Sequence, residues 1–583
     1  MRFPSVLTLA QRAREVLLRF PWTMAAGVLA AVAAIVATTD SGDEQWGRIA
    51  MVAALGLSLT VALTLLGEER GWSAGRRAAL NAAGVLLLVI FYLIWPGPER
   101  KHEVIRYLQL SAGLHLLVAF LPFLGDRETA AFWQYNRRLF QAILRSALFS
   151  FVLYVGLMIA LGALDKLFGV DVPSELYARL GIAIAFVINT WIFLADVPRG
   201  LRSLAGDSSY PTVLKVFAQY ILTPLVFIYL IILLAYLIKI VLGGEWPSGW
   251  IGWLVASVAA SGLLGFLLVH PLRDHPGEDW IRTYGRWLFI GLIPSAAMLL
   301  VAFWKRILPY GLTEPRLLGI LLGVWLLIIA VYYTLRQDAG IRRIPVSLAL
   351  LLVLTLYGPW SVTAIAVASQ SKRLARVVSP GQGEVRNERE ASAALRFLLD
   401  HADEGAVASA LPGKLPPLEW DSLPGPHEYR DKAAVRILAT QGITYEPEYR
   451  SQRRDWDQVE LSGVSTATAI SGYDWLLPAS SWSTSPEMVG VDTVTVWFDT
   501  TSFVAHVVVG RDSLAFDIGQ LADEVAGKSL LTRRNIPAKE FRLEAVSASR
   551  RVALELGSLS GTRIGDSLRV ERWNGELLIG KAK

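Results

Sequence analysis

Before about Ser369 the chain is dominated by runs of roughly twenty mostly apolar residues, and no other feature limits its fold as severely. A backbone that enters hydrocarbon has to satisfy every amide internally, so apolar runs of this length between short charged loops read as membrane-crossing helices. That ruler gives about eleven spans. They are Pro21 to Thr38, Arg48 to Leu66, Ala78 to Trp95, Val104 to Leu124, Phe140 to Leu164, Leu176 to Ala195, Val213 to Leu242, Trp250 to His270, Trp287 to Trp304, Leu317 to Leu335 and Ile344 to Ala368. The seventh is long and contains Pro224, which removes a helix hydrogen bond, so a kink or tilt is expected there.

Loop charge sets the expected orientation, because Lys and Arg resist translocation. Residues 1–20 form a basic segment with Arg2, Arg12, Arg14 and Arg19. The run after it is long enough to span, and Thr38-Thr39-Asp40 is a poor cleavage site, so a retained first span is expected rather than a signal peptide. With that segment in the cytoplasm, the same side receives Arg70, Arg76 and Arg77, then Arg127, Arg137 and Arg138, then Arg199, Arg202 and Lys215. Arg273, Arg282 and Arg286 follow, then Arg336, Arg342 and Arg343. Opposite loops are poorer: the first carries Asp40, Asp43 and Glu44. An odd span count then puts whatever follows the last span outside, which in a Gram-negative cell is the periplasm. The formal net charge of +6 is explained by these loops, so nucleic acid is not an expected partner. The absence of cysteine excludes disulfides, thiol catalysis and Cys-ligated metals.

One interhelical stretch concentrates specific chemistry: Trp304 to Arg316, WKRILPYGLTEPR. Trp304 and Tyr310 suit the headgroup layer, Lys305, Arg306, Glu314 and Arg316 need water, phosphate or each other, and Gly311 with Pro315 implies a turn. Glu314 can lock the turn through Arg306 or Arg316, and Thr313 can cap the helix that starts near Pro315. Alternatively Lys305, Arg306 and Arg316 bind a phosphate, with Glu314 as a base. Gly319 and Gly323 form a small-xxx-small pair for close helix packing, within the chain or between copies. Together with the later Gly358 to Val377 segment, this stretch resembles the bacterial multi-pass membrane proteins of domain-of-unknown-function family 4153, marked by Tyr-Gly-Leu-Thr-Glu-x-Arg and Ser-Gln-x-x-Arg-Leu elements. Here these are Tyr310 to Arg316 and Ser369 to Leu374, the second including Gln370 and Arg373. The resemblance covers about the first two thirds of the chain and implies membrane residence and architecture; it carries no activity with it.

Polar residues inside the spans are few. His115, Asn189 and Gln219 could mark a solute route, or simply bond across helices, and Arg145 and Lys239 are near enough to span ends to snorkel. The loop His270 to Asp279 gathers His270, His275, Asp274, Glu278 and Asp279, but Pro271 and Pro276 prevent two ligands from sharing a helical face, so a solvated loop is expected and no metal or cofactor.

After a linker at 370–386, residues 387–583 read as a small soluble α+β domain. Asn387 to Glu390 is a capping box for a helix with Ala391, Ala394, Leu395, Leu398 and Leu399 on one face, and Glu428 to Thr440 reads as a second helix. Val494 to Phe498, Phe503 to Val509 and Ser513 to Phe516 alternate as strands, Asp517 caps a short helix at Leu521 to Val525, and Asn574-Gly575 signals a hairpin turn. His401, His427 and His506 are scattered and belong to no catalytic motif. Tyr473, Trp475, Trp482 and Trp497 either line a sugar or peptide groove or, as the commoner case, pack in a core.

The expected whole is a polytopic α-helical inner-membrane bundle followed by a small soluble α+β domain. No catalytic residues are assigned. The reading favoured is an envelope scaffold or binding protein, its partners the lipid bilayer and an envelope component, with a homo-oligomer compatible. The alternatives are a transporter or channel for a small solute and a membrane enzyme acting on a lipid-linked or phosphate-bearing substrate.

Overall fold

The computed structural model describes all residues except 1–5, 40–43, 99, 126–127, 171, 208, 244–249, 380–386, 403, 413–414, 417–426, 447–456, 464–469, 471, 482–485, 501, 528–531, 565–566 and 583. Arg127, Trp482 and residues 380–386 of the expected linker therefore lie outside the described residues. The chain divides into two compact units, Met1–Tyr445 and Glu446–Lys583.

The first unit opens with α1 (Val6–Arg19), α2 (Pro21–Thr39), α3 (Glu44–Glu69), α4 (Ala74–Ile94), α5 (Lys101–Phe120) and the long α6 (Thr129–Phe168). Two helices are then interrupted by π-helical turns: α7 (Ser174–Ala183) runs through Ile184–Ile188 into α8 (Asn189–Ala195), and α9 (Thr212–Val216) through Phe217–Leu222 into α10 (Thr223–Gly243). The second interruption ends just before Pro224, whose missing N–H forces the turn that precedes it to widen. The series continues with α11 (Trp250–Val269), α12 (Trp280–Tyr310) and α13 (Glu314–Leu335). Among the described residues ten helices are long and apolar enough to cross a membrane, so this unit is a multi-pass bundle.

The eleventh expected span, Ile344 to Ala368, is not one helix. It is broken into α14 (Arg343–Leu354) and α15 (Val362–Val378), the latter extending through residues 370–378. The break is written in Gly358-Pro359-Trp360-Ser361: Gly358 takes a φ of +89°, and Ser361 caps α15 by accepting from the Ala364 N–H at 3.2 Å. Short as it is, α14 runs back along α5. Arg342 donates to the Phe123 carbonyl at 2.7 Å, Gln109 to Thr355 Oγ1 at 3.1 Å, and the Arg106 guanidinium stacks over Tyr357. The chain thus returns to the end of the bundle where α5 starts and α12 finishes.

At the opposite end the basic loops are tied together. Arg19 bonds Glu68 at 2.7 Å and the Val197 carbonyl at 2.7 Å, Arg70 reaches the Leu124 carbonyl at 2.9 Å, and Arg273 the Gln337 carbonyl at 2.9 Å. Glu278, in the loop considered for a metal, is held by Lys215 at 2.5 Å and the Trp280 indole at 2.6 Å. Helices α16 (Glu388–His401), α17 (Glu404–Ser409) and α18 (His427–Thr440) complete the unit. Asn387 caps α16 through the Glu390 N–H, and buried Leu374, Leu395, Leu398, Val407, Ala434 and Ile437 form their shared core with α15.

The second unit carries two sheets. β1 (Asp457–Gly463), β2 (Trp475–Ser480), β7 (Thr532–Ile536), β9 (Arg550–Ile564) and β10 (Ser567–Lys581) run in the order β2-β10-β9-β1-β7, with β8 (Arg542–Val546) also pairing β9. β3 (Glu487–Val489), β4 (Asp492–Asp499), β5 (Val504–Val509) and β6 (Asp512–Asp517) form an antiparallel meander followed by α19 (Ile518–Gly527), which Asp517 caps through the Gln520 N–H. The hairpin expected at Asn574-Gly575 does not exist there. β10 continues through both residues with a bulge, because β9 and β2 pair it on both sides and no turn can interrupt a central strand. Core packing of the aromatic group also fails for Trp475 and Trp497, which are half-exposed; the buried aromatic members of a mainly aliphatic core are Phe516, Phe541 and Trp573.

Candidate functional site

The two motif elements, far apart in sequence, meet at the end of the bundle where α12 turns into α13. Gly311 takes a φ of +67°, and a Cβ there would lie 2.8 Å from the Gln370 side-chain nitrogen, so the turn admits only glycine. Gln370, 2% exposed on α15, donates to the Tyr310 and Leu312 carbonyls at 3.1 and 2.8 Å, and Ser369 Oγ accepts from the Leu312 N–H at 3.1 Å. Arg373 donates to the Tyr310 carbonyl at 3.0 Å and binds Glu390 of α16 at 2.7 Å, while Leu374 is fully buried. Arg316 donates to the Tyr310 and Gly311 carbonyls at 3.1 and 2.8 Å and stacks over the Tyr310 ring.

Two sequence expectations for this turn are corrected. Thr313 occupies the cap position of α13 but its side chain makes no capping bond. Glu314 bridges neither Arg306 nor Arg316; it is 1% exposed and faces His401 of α16, Oε2 to Nε2 3.6 Å. Trp304, Lys305 and Tyr310 lie on the exposed side of the α12 terminus. Gly319 and Gly323 face α12 of the same chain: a Cβ on Gly319 would stand 2.1 Å from the Phe303 ring, and one on Gly323 2.9 Å from Leu300.

Around Glu314 the fold gathers residues that no motif announces. His102 and Glu103 start α5, 3.1 Å apart, and are 7% and 4% exposed; Arg106 adds a second bond to Glu103 at 2.5 Å. The His102 and His401 rings are 5.9 Å apart, and Asp400 is held by Lys101 at 3.4 Å and by Arg430. His401 stacks on Phe397 and its Nδ1 meets the Phe397 carbonyl at 2.8 Å. Burial pushes the His401 imidazole down to about 4, so it is neutral at neutral pH even beside Asp400. Glu314 Oε1, Glu103 Oε2 and His102 Nδ1 are buried without a hydrogen-bond partner among the described residues. Among the described residues no group of three His, Cys, Asp or Glu side chains is placed to hold a metal ion.

A cavity of about 750 Å³ opens beside this cluster, between α15, the α16–α17 corner and the turn after α14. Arg106, Lys372, His401, Ser361, Ser371 and Ser409 supply its polar lining, small residues such as Ala364, Ala368 and Ala375 make room for it, and no described carboxylate lines it. The one sequence signal for this chamber was the run of small residues at helical spacing on α15. His401 was legible only as an isolated histidine.

The chain belongs to the family described as Domain of unknown function (DUF4153), whose model matches residues 24–386. It is also similar to an uncharacterised protein of Pasteurella multocida (strain Pm70), 23% identical over 336 residues, which is 57% of this chain and 55% of that protein. The chain thus spans about half the length of that relative. No solved structure matches it.

Proposed function

We propose that this family member is a bacterial inner-membrane binding protein whose chamber beside α15 takes a small phosphate-bearing solute. The observation that carries the reading is the chamber's lining: Lys372, the Arg106 guanidinium that Glu103 holds from behind at 2.5 Å, a largely buried histidine and several hydroxyls, with no described carboxylate in the lining itself. Charge-assisted bonds from cations are the usual means of holding phosphate, and the open pocket is large enough to seat one small molecule.

A carrier is less well supported. Several polar side chains within the spans bond one another: Ser58 with His115 at 3.2 Å, Thr23 with Thr60 at 2.8 Å, Ser150 with Asn189 at 3.3 Å, and Arg145 with Asp196 at 2.8 Å, whereas Gln219 Oε1 is buried without a partner among the described residues. Helices that satisfy each other in this way make a rigid anchor. The basic loops clustered at the far end argue for a cytoplasmic N-terminus, with the chamber and the second unit on the periplasmic side. In the second unit, half-exposed Trp475 and Trp497 support contact with an envelope component.

The test is binding of glycerol 3-phosphate and inorganic phosphate by the purified full chain, read by calorimetry and by thermal shift against chloride of equal ionic strength. Saturable binding that Lys372→Glu and Ala368→Trp each abolish is the expected result. No binding, or binding unchanged in both variants, overturns the reading, and phosphate flux into liposomes carrying the protein would replace it with transport.

A further inference from the structure

A second opening shares no lining residue with the chamber, and its chemistry is different. Helices α11, α12 and α13 bound a groove of about 570 Å³ whose walls are Ile251, Leu299, Phe303, Leu318, Gly319 and Leu322. All three helices are long and apolar enough to cross a membrane, so what fills a carbon-lined groove between them is hydrocarbon, since water there would find no partners. Gly319 shapes it: only a residue without a Cβ lets the Phe303 ring lie directly against α13.

The mouth of the groove is charged with one sign. Arg306, on α12 beyond Ala302 and Phe303, and Arg316, in the first turn of α13, both line it, and no carboxylate does among the described residues. Arg306 is half-buried and makes no hydrogen bond or ion pair with any described residue. Trp253, Trp304 and Tyr310, all exposed, surround this end, and such side chains gather at the level of lipid headgroups. An apolar slot running into the bundle from two guanidiniums at headgroup depth is complementary to an amphiphile with a negative head.

We propose that the groove between α11, α12 and α13 holds one anionic phospholipid, its tail along Phe303 and Leu322 and its phosphate between Arg306 and Arg316. This site is separate from the chamber beside α15 and does not depend on what that chamber binds. The apolar walls select a lipid over free phosphate, and the arginines select an anionic head over a zwitterionic one. Arg306 acts through its charge alone, whereas Arg316 also braces the Tyr310–Gly311 turn, so Arg306 is the residue to change.

The experiment is native mass spectrometry of the full chain, stripped of lipid in detergent and titrated with phosphatidylglycerol or phosphatidylcholine of identical tails. The expected result is one tightly held phosphatidylglycerol, favoured over phosphatidylcholine by roughly thirtyfold, given the attraction of two basic side chains at a membrane surface. Arg306→Gln lowers that preference by about fivefold, as the loss of one such charge requires, while Arg306→Lys retains most of it. Ala302→Trp, which fills the groove, removes the bound lipid of either head; should it misfold, Leu322→Phe serves the same purpose. Equal occupancy by the two lipids, an unchanged preference in Arg306→Gln, or displacement of phosphatidylglycerol by millimolar inorganic phosphate would each overturn the proposal.

Discussion

Replacing Gln370 by Leu tests whether the turn between α12 and α13 is held from outside by α15. The side chain is 2% exposed and donates to two carbonyls, Tyr310 at 3.1 Å and Leu312 at 2.8 Å. The two losses are unequal. Tyr310 O also accepts from Arg316 and Arg373, so it stays satisfied, whereas Gln370 is the donor found on Leu312 O. Leaving this partly buried carbonyl without its donor costs about 1–3 kcal/mol, and the weakened bond at Tyr310 adds a fraction of that. A loss of about 2 kcal/mol in the local opening free energy corresponds to roughly thirtyfold faster exchange of the amides that the turn protects. Leu312 N–H, bonded to Ser369 Oγ, reports it directly. Hydrogen exchange of the full chain, followed by mass spectrometry of the peptide covering 310–317, is the assay, with Arg376→Ala on the exposed face of α15 as control. The expected outcome is that acceleration confined to this peptide, with the helices unchanged. Exchange within about threefold of the parent chain would mean that the turn is stable without α15, and the latch would be refuted.

Acid should destabilise the first unit through His401. Its folded value of about 4 lies below the ordinary 6.5, so the stability tied to its neutral form is complete above pH 6.5 and is lost as pH falls towards 4, about 3 kcal/mol in all. Thermal unfolding between pH 7.5 and 4.5 should therefore show a slope that His401→Leu flattens; an equal slope in the variant counts against the assignment. Gly319→Ala should destabilise the α12–α13 pair by about 1–3 kcal/mol through overpacking, and Phe303→Leu in the same chain should recover most of that loss, whereas additive losses would deny the contact.

What could be read from the sequence was whatever hydrocarbon enforces locally. A span is a property of about twenty consecutive residues, so ten helices stood close to where the apolar runs lie, and even the odd seventh one betrayed itself through Pro224. The eleventh failed for an equally local reason: Gly358, Pro359 and Ser361 were visible as a break signal but were outweighed by the hydropathy around them. The amphipathic strands β4 to β6 were legible from alternation, while Asn574-Gly575 misled because a hairpin signal says nothing about strands that pair from both sides. The acid–histidine cluster was beyond reach, since His102, Glu314 and His401 sit on three elements brought together only by packing. Glu314 itself was singled out with the wrong partner, because Arg316 turns to the Tyr310 and Gly311 carbonyls and Glu314 is buried towards His401 instead.

The geometry gives the seven-residue element a reason for its composition. Its glycine makes a turn that Gln370 can cover, and the covered turn fixes where α13 begins. From that fixed start, neighbouring positions project to different surroundings: Glu314 is buried towards His401, Arg316 lines the groove shared with α11 and α12, and Thr313, spared from capping, lines the same groove. A helix start displaced by one residue would rotate every one of these side chains by about 100°, turning Glu314 out of its pocket and Arg316 away from the groove at once. The motif is therefore best understood as a registration device. The bonds between Tyr310–Leu312 and Ser369–Arg373 set the rotation of α13, and both the buried cluster and the lipid-facing groove inherit their geometry from that single choice.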